Sequence, residues 1–443
     1  MTNKSLGKAV VIGAGVGGLA AVQALSYHFD HVYLIERDAF VEDPEVRLGV
    51  PQSFHAHYLQ PGGFRALREL FTHFELDLET SGAIFMKPGL DVREEIPNFG
   101  PLPRRDIGLK SASLTRLHLE TLLGRRVREN KNVTTLYGCR VTRLSSNANG
   151  SVDTYYVNKV GENGVVTADF VVDASGRGTH IDMLLTSNGH QSPEETRLGV
   201  DIGYSTAMYL VPEEWQSNAD WKGFLVRPAI PTSTRGAFLL PIQGDRWLLT
   251  LVGAHGDHPP ASEHEFAAFI ESLKSPALSE AVGRAQRLGE IKRFRFPEST
   301  WRHYESLDNR SMAIVPLGDA WCRFNPVYGQ GMSVAAMEAV FLYEAFNAAA
   351  QAGDILLDAI GNYYARSYAL ISDVWQMAAI PDLAHPATGG ERPHDLSKRL
   401  AFNSAILRSA MQDADVHRLM YEVRSLVTPP SCLRALGNDC AHL

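Results

Sequence analysis

The chain opens with a change of hydrophobic period. Residues 9–12 (Ala-Val-Val-Ile) form a short run of the buried parallel-strand type. Residues 17–26 then carry apolar side chains at helical spacing, and His31–Glu36 reads as a second strand that ends on an acid. This order predicts a β-α-β unit within about 30 residues. Residues 115–130 predict a helix rich in Arg, Leu and Glu. Residues 133–137, 140–144 and 154–160 predict short strands, and 165–172 a strand leading into an aspartate-bearing turn. From about 198 to 252 the pattern is mostly short strands (198–204, 206–211, 236–240, 247–251), which predicts an antiparallel sheet inserted into an α/β domain. Residues 263–273 and 277–285 read as helices, 312–316 as a strand and 333–350 as a long helix. The remainder is helical apart from a Pro/Gly-rich interruption at 381–393.

Composition narrows the class. Forty-five percent apolar and 21% charged residues suit a globular protein, and 443 residues allow two or three domains. With 42 basic and 50 acidic residues the formal charge is −8, which argues against a general nucleic-acid surface while permitting a local basic pocket. The four cysteines show no C-x-x-C spacing, so neither a disulfide scaffold nor a zinc site is expected, and a reducing, cytoplasmic compartment fits. Glu338 and Glu344 interrupt the Ala-rich stretch at 332–350, and no run of about 18 apolar residues occurs, so no membrane span is expected.

Three turns carry the chemistry. Gly13-x-Gly15-x-x-Gly18 follows the first strand: Gly13 permits a tight turn, Gly15 admits a pyrophosphate, and Gly18 allows close helix–strand packing. The helix start offers unpaired N–H groups to the anion. Glu36, at the end of the second strand, is placed to accept from ribose hydroxyls, which disfavours a 2′-phosphate and leaves FAD or NAD. Asp173-Ala174-Ser175-Gly176-Arg177 and Gly318-Asp319 follow two further apolar strands. A single NAD site needs only one fingerprint; a flavin's ribityl and isoalloxazine parts need more, and Asp319 is placed for ribityl hydroxyls. Asn325-Pro326-Val327-Tyr328-Gly329-Gln330-Gly331 then opens a helix whose N-terminus can stabilise negative charge at the flavin edge.

These motifs, in this order, resemble the FAD-dependent monooxygenases of the aromatic-hydroxylase type, nearest the squalene-epoxidase and polyether-epoxidase branch and related to the flavin-dependent halogenases. The resemblance runs from about residue 8 to 350. It implies an α/β fold: a Rossmann-like FAD-binding domain (1–75, 105–180, 290–350), an inserted antiparallel β-sheet substrate domain (76–104, 181–289) and a C-terminal helical region (351–443). Arg47, in Arg47-Leu48-Gly49-Val50-Pro51-Gln52, resembles the family's Arg-x-Gly element near the flavin, and Leu59-Gln60-Pro61-Gly62-Gly63 is similar to a squalene-epoxidase element. Arg116 matches the arginine that approaches the FAD phosphates. The cofactor side implied is Gly13, Gly15, Gly18, Glu36, Arg37, Arg47, Arg116, Val141, Asp173, Gly176, Arg177, Gly318, Asp319, Gly331 and Met332. The catalytic side is Pro326, which shapes the site above the flavin, and Gly329, Gln330 and Gly331, which supply backbone N–H groups.

The implied reaction is insertion of one oxygen atom from O₂ into an apolar or aromatic small molecule, by hydroxylation or epoxidation through a flavin C4a-hydroperoxide. NADPH or NADH would supply electrons, directly or through a separate flavin reductase. The inserted sheet should then place apolar side chains and few charges over the flavin. Two departures bear on this. The Asp-Ala-Ser-Gly sequence replaces the hydroxylases' Asp-Gly, a motif linked there to NADPH. The halogenase Trp-x-Trp-x-Ile-Pro element is absent, since no two of the six tryptophans lie two residues apart. Halogenation, double-bond reduction and non-catalytic FAD binding are the alternatives. His55 and His57 share one face of an extended stretch, yet no third ligand lies near them in sequence, and no metal is expected. Cys322 reads as a buried small residue, and Trp215, Trp221 and Phe238 as core more than pocket lining.

Overall fold

The computed structural model describes residues 6–40, 42, 58–97, 99–218, 220–307, 313–349 and 355–439. Arg47, with the rest of its segment, and His55 and His57 lie outside the described residues.

A five-stranded parallel sheet organises the first half, in the order Ile314–Pro316, Phe170–Asp173, Lys8–Ile12, His31–Glu36, Val133–Tyr137. Lys8–Ile12, Phe170–Asp173 and Ile314–Pro316 are near-continuous apolar runs because both faces of the sheet are covered there; Val10, Val11, Val171 and Val172 are fully buried. The helix Val16–Ser26 buries every residue from Val16 to Leu25, as expected of a helix that is apolar all round. It packs against the helix Gly331–Ala349, and Gly17 permits the approach: a Cβ there would lie 2.8 Å from the Ala335 Cβ. Phe29, Phe170 and Phe346 close this layer, with ring centroids 5.2–5.9 Å apart.

The inserted region is a seven-stranded sheet ordered Gln286–Phe296, Ile202–Leu210, Arg246–Ala254, Gly236–Ile242, Gly223–Val226, Val92–Ile96, Gly100–Pro101. Residues 198–211, expected as two strands, split instead at Val200–Asp201, and Ile202–Leu210 runs unbroken. The positive φ of Asp201 (40°) supplies the break. Residues 165–172 likewise divide, into Asn163–Ala168 of an antiparallel hairpin sheet and Phe170–Asp173 of the parallel sheet. Trp215, Trp221 and Trp247 pack with helices Glu263–Ser272 and Pro276–Arg284 behind the seven-stranded sheet.

Four helices follow: Ile355–Asp382, Leu396–Gln412, Ala414–Arg424 and Ser431–Asp439. The first is fastened to the Gly318-Asp319 region by Tyr363, whose hydroxyl donates to the Pro316 carbonyl at 2.6 Å, and by Trp321, whose ring lies 5.1 Å from Tyr364. The Pro/Gly-rich interruption docks rather than dangles. Gly389 exchanges backbone hydrogen bonds with Gly199 (2.9 and 3.1 Å), and Arg392 ties the loop through the carbonyls of His385, Pro386 and Thr388. No helix among the described residues is long and apolar enough to cross a membrane.

Candidate active site

All three motif turns open onto one cavity of about 1790 Å³, walled on its other sides by the seven-stranded sheet and the C-terminal helices. Cavities for drug-sized ligands run from roughly 300 to 1,000 Å³, so this one has room for an extended cofactor and a second molecule.

The first turn is built from main chain. Gly13 has φ 99°, open to glycine, and a Cβ there would stand 2.5 Å from the Ala174 carbonyl oxygen. A Cβ at Gly18 would lie 1.9 Å from the Gly13 oxygen, so this glycine is required for helix–turn packing. Gly15 differs: a Cβ there meets only the Arg116 Nη2 at 3.5 Å and Glu120 Oε1 at 3.7 Å, at the cavity wall. The first helical bond runs from the Leu19 N–H to the Gly15 carbonyl (2.9 Å). The N–H groups of the helix's opening turn therefore have no intrahelical acceptor. Glu36 is 6% exposed and fixes the turn, its Oε2 accepting from the Ala14 N–H (2.6 Å) and its Oε1 from the Asp38 N–H (2.9 Å). Arg37 and Val141 stand on the same wall. Arg116 opens the helix Arg116–Glu129 and is held by Glu120 at 2.8 Å.

Asp173 is moved by the structure from cofactor contact to turn shaping. It is fully buried behind the cavity wall. Its carboxylate is spent on the Ser175 N–H and hydroxyl (3.0 and 2.5 Å), the Thr179 hydroxyl (2.8 Å) and the His180 N–H (2.6 Å). That turn presents Gly176 and Arg177 to the cavity instead. A Cβ at Gly176 (φ 79°) would come 4.0 Å from the Asp319 Cβ, so the second and third motifs meet there. Gly318 (φ 64°) is pinned by its N–H donating to Glu338 Oε2 at 2.7 Å. Burial drives the Glu338 carboxyl up to about 8. Burial also raises Asp319, while Arg116, Arg323, Arg302 and Arg177 pull it back down. Of these four guanidiniums Arg116 is paired with Glu120 and Arg302 with Glu195; Arg177 and Arg323 line the cavity beside Asp319, a local excess of positive charge that suits a diphosphate.

The third turn rises from Pro326–Tyr328 to Gly329 (φ 65°) and into the helix Gly331–Ala349. The Val334 N–H bonds back to the Gln330 carbonyl at 2.9 Å, so the N–H groups of Gly331 and Met332 have no intrahelical acceptor. Pro326, Gly329, Gln330, Gly331 and Met332 all line the cavity. Gln330 is 4% exposed, and its Oε1 is buried with no partner, an orphan that a ligand donor would satisfy. The glycines of Leu59-Gln60-Pro61-Gly62-Gly63 serve packing: a Cβ at Gly62 would lie 2.4 Å from the Leu426 oxygen, and one at Gly63 2.5 Å from Ser333 Oγ. Gln60 is that segment's contribution to the cavity, its Nε2 donating to the Tyr328 carbonyl at 3.3 Å.

Several residues at or behind the cavity wall carried no motif. Asp382, at the end of the 28-residue helix, accepts both oxygens' bonds from Asn325 Nδ2 (3.0 Å each) and one from the Tyr328 hydroxyl (2.7 Å). Burial pushes its carboxyl up to about 6. Arg323, between the Gly318-Asp319 and Asn325–Gly331 motifs, is buried over the Phe296 ring at 4.1 Å. On the sheet wall Phe238, Leu240 and Phe294 are apolar as expected, so Phe238 is pocket lining while Trp215 and Trp221 are core. The expectation of few charges fails here: Glu94 and Arg227 also face the cavity, joined by Tyr421 and Arg424 from the helix Ala414–Arg424. Alternation offered a signal, since Glu94 falls on the inward face with Val92. Cys322 is buried as expected, and burial drives its thiol well up. Among the described residues no group of three or more His, Cys, Asp or Glu could hold a metal.

The donor set fits FAD. Gly13–Gly18, Glu36 and Arg37 suit the adenosine diphosphate, Arg116 and Arg177 the phosphates, Asp319 the ribityl chain, and the Gly331–Met332 N–H groups the isoalloxazine edge.

No family model matches the chain. It is 30% identical over 399 residues to Protein Rv3254 of Mycobacterium tuberculosis (strain ATCC 25618 / H37Rv), covering 87% of this chain and 82% of that protein. Its fold is similar to that of CmlS, a flavin-dependent halogenase (TM-score 0.68, 18% identity, 92% of this chain and 72% of that one). It is also similar to a triple mutant of the flavin-dependent brominase Bmp2 (0.66, 18%, 98% and 99%). The tetrameric 2-methyl-3-hydroxypyridine-5-carboxylic acid oxygenase shares it too (0.60, 21%, 85% and 90%). At these identities the likeness establishes the fold alone, a Rossmann-type α/β architecture that those flavin-dependent enzymes share. The relation to the mycobacterial protein extends over most of both chains, and the chain belongs to the family of Protein Rv3254.

Proposed function

We propose that this protein is an FAD-dependent monooxygenase that inserts one oxygen atom from O₂ into an apolar or aromatic small molecule. The observation that carries the reading is the continuity of the cavity: three motif turns on one side and Phe238, Leu240 and Phe294 on the other enclose a common space. Reduced flavin, when bound, supplies the electrons that activate O₂. The chain's own residues bind, orient and exclude water. Asp319 and the arginines around it hold the cofactor's chain and phosphates. The unpaired N–H groups of Gly331 and Met332, at a helix N-terminus, stabilise negative charge that develops beside them. Asp382 clamps Asn325 and Tyr328 so that the Pro326 turn keeps its shape. The apolar part of the sheet wall, Phe238, Leu240 and Phe294, keeps water from the reacting space.

A test is turnover under ¹⁸O₂ with NADPH or NADH, with and without an added flavin reductase, on a panel of aromatic and polyunsaturated compounds. One labelled oxygen per product supports the reading. Label from water, or turnover under argon, contradicts it and points to a reductase. Likeness to CmlS and Bmp2 supports a second reading, halogenation on the same scaffold; a product that forms only with added chloride or bromide, and contains it, would establish that one. The free thiols of Cys139, Cys322 and Cys432 support a reducing, cytoplasmic setting.

A further inference from the structure

The cavity concentrates positive charge that the rest of the chain does not have. Among the described residues, ten Lys and Arg line it against six Asp and Glu, in a protein of formal charge −8. Arg116, Arg177 and Arg323 cluster at the proposed cofactor wall. A second cluster lies on the sheet wall and no cofactor motif accounts for it. Glu94 is 1% exposed. Its Oε1 accepts from Arg227 Nε at 2.7 Å and from Arg424 Nη2 at 2.8 Å, and its Oε2 from the Tyr421 hydroxyl at 3.0 Å.

The inventory does not balance. Two guanidiniums share one carboxylate, leaving one positive charge over. Each guanidinium has five N–H donors, and each gives one side-chain bond, to Glu94. The other donors have no acceptor among the described residues, although Arg227 and Arg424 are only 24% and 30% exposed. No nitrogen of either residue is among the buried atoms left without a partner, so the unbonded donors face the cavity, where an anion can complete them. Phe238, Leu240, Ile406 and Met420 line the same cavity, so that anion belongs to a molecule with an apolar body. The cluster is also close to the reacting turn: the Gln330 side chain donates to the Arg424 carbonyl at 3.5 Å.

We propose that the sheet-side cluster is an anion subsite, and that the substrate is an apolar or aromatic molecule carrying a carboxylate, gripped by Arg227 and Arg424 while Glu94 holds both guanidiniums in place. This rests on the cavity being the substrate site, and it deepens that reading by naming the substrate's head group.

The test uses the flavin-loaded protein and two probes of equal shape, 2-naphthoate and 2-naphthamide, titrated by calorimetry at pH 7.5. Naphthoate should bind at least about tenfold more tightly, the scale of a charge-assisted hydrogen-bond pair. Arg227→Gln should remove that preference and leave naphthamide binding unchanged. Glu94→Gln, which takes away the competing anion, should tighten naphthoate. A cluster that merely bolts the C-terminal helices to the sheet gives another pattern, with acid and amide weakened alike in Arg227→Gln. That pattern, equal binding of the two probes to the wild type, or no naphthoate binding at millimolar concentration would overturn the proposal. Flavin absorbance in the same samples reads the cofactor separately. A chain that prefers naphthoate yet takes up no flavin would refute the flavin reading and leave the anion subsite standing.

Discussion

The cavity has a wall made of main chain and a wall made of side chains, and the two place different demands on the sequence. At Gly13, Gly15, Gly18, Gly176 and Gly318 the ligand or a neighbouring strand approaches backbone. What matters there is the lack of a Cβ or a positive φ. On the sheet wall Glu94, Arg227 and Arg424 come from three separate segments and act through their charged ends. At Gly13 and Gly18 the backbone wall tolerates no side chain, because the interfering atoms belong to main chain; Gly176 and Gly318 are held by positive φ, and Gly15 faces the cavity. The side-chain wall depends on a few charged ends, so exchanging one guanidinium for an uncharged polar group changes what it can bind.

The sharpest way to break this contrast is at two glycines three residues apart. Gly18→Val should yield no folded flavoprotein, because its Cβ would overlap the Gly13 carbonyl. Gly15→Val should fold, since its Cβ meets only ordinary contacts, yet lose flavin by more than about 100-fold, roughly 2.7 kcal/mol. Circular dichroism and flavin titration on both variants check this; a Gly15→Val protein that retains flavin would remove that glycine from the cofactor wall.

Asp319→Ala is a smaller perturbation. Loss of hydrogen bonds from a charged group costs about 1.5–3 kcal/mol, or roughly 10- to 150-fold in dissociation constant. An unchanged constant in a folded variant would take Asp319 out of the cofactor's grip.

The last perturbation is at Asp382, which joins the C-terminal region to the Pro326 turn, and it is read in stability rather than in cofactor binding. Its folded-state carboxyl titrates at about 6, above the ordinary 3.8, because it is buried. The folded protein therefore holds this proton more tightly than the unfolded chain. The associated stability is full below about pH 4 and declines as pH rises to about 6, by at most about 1.4 kcal/mol per pH unit. Asp382→Asn lacks this dependence, so the difference in melting temperature, wild type minus variant, should shrink as pH rises from 4 to 7. A difference that is flat or grows would show that Asp382 is ionised at all these values.

What could be read in advance follows the same division. The strand His31–Glu36, the fingerprint turn and the Pro326–Gly331 turn were legible because glycine spacing and a change from helical to strand period are local signals. Asp173 misled because a turn aspartate looks the same whether it binds a ligand or its own backbone; only its four bonds to Ser175, Thr179 and His180 decide between them. Asp382 and Arg424 left no mark because their partners, Asn325 and Glu94, lie 57 and 330 residues away in sequence. Gly62 and Gly63 resembled a flavin-side element, but their space is filled by Leu426 and Ser333.

The account stands most directly on the cofactor. The flavin released by heat from the protein, after reconstitution with an equal mixture of FAD and FMN, can be identified by chromatography and counted against protein. One FAD per chain, with FMN excluded, is the expected result; FMN bound equally well, or no flavin retained, would contradict it.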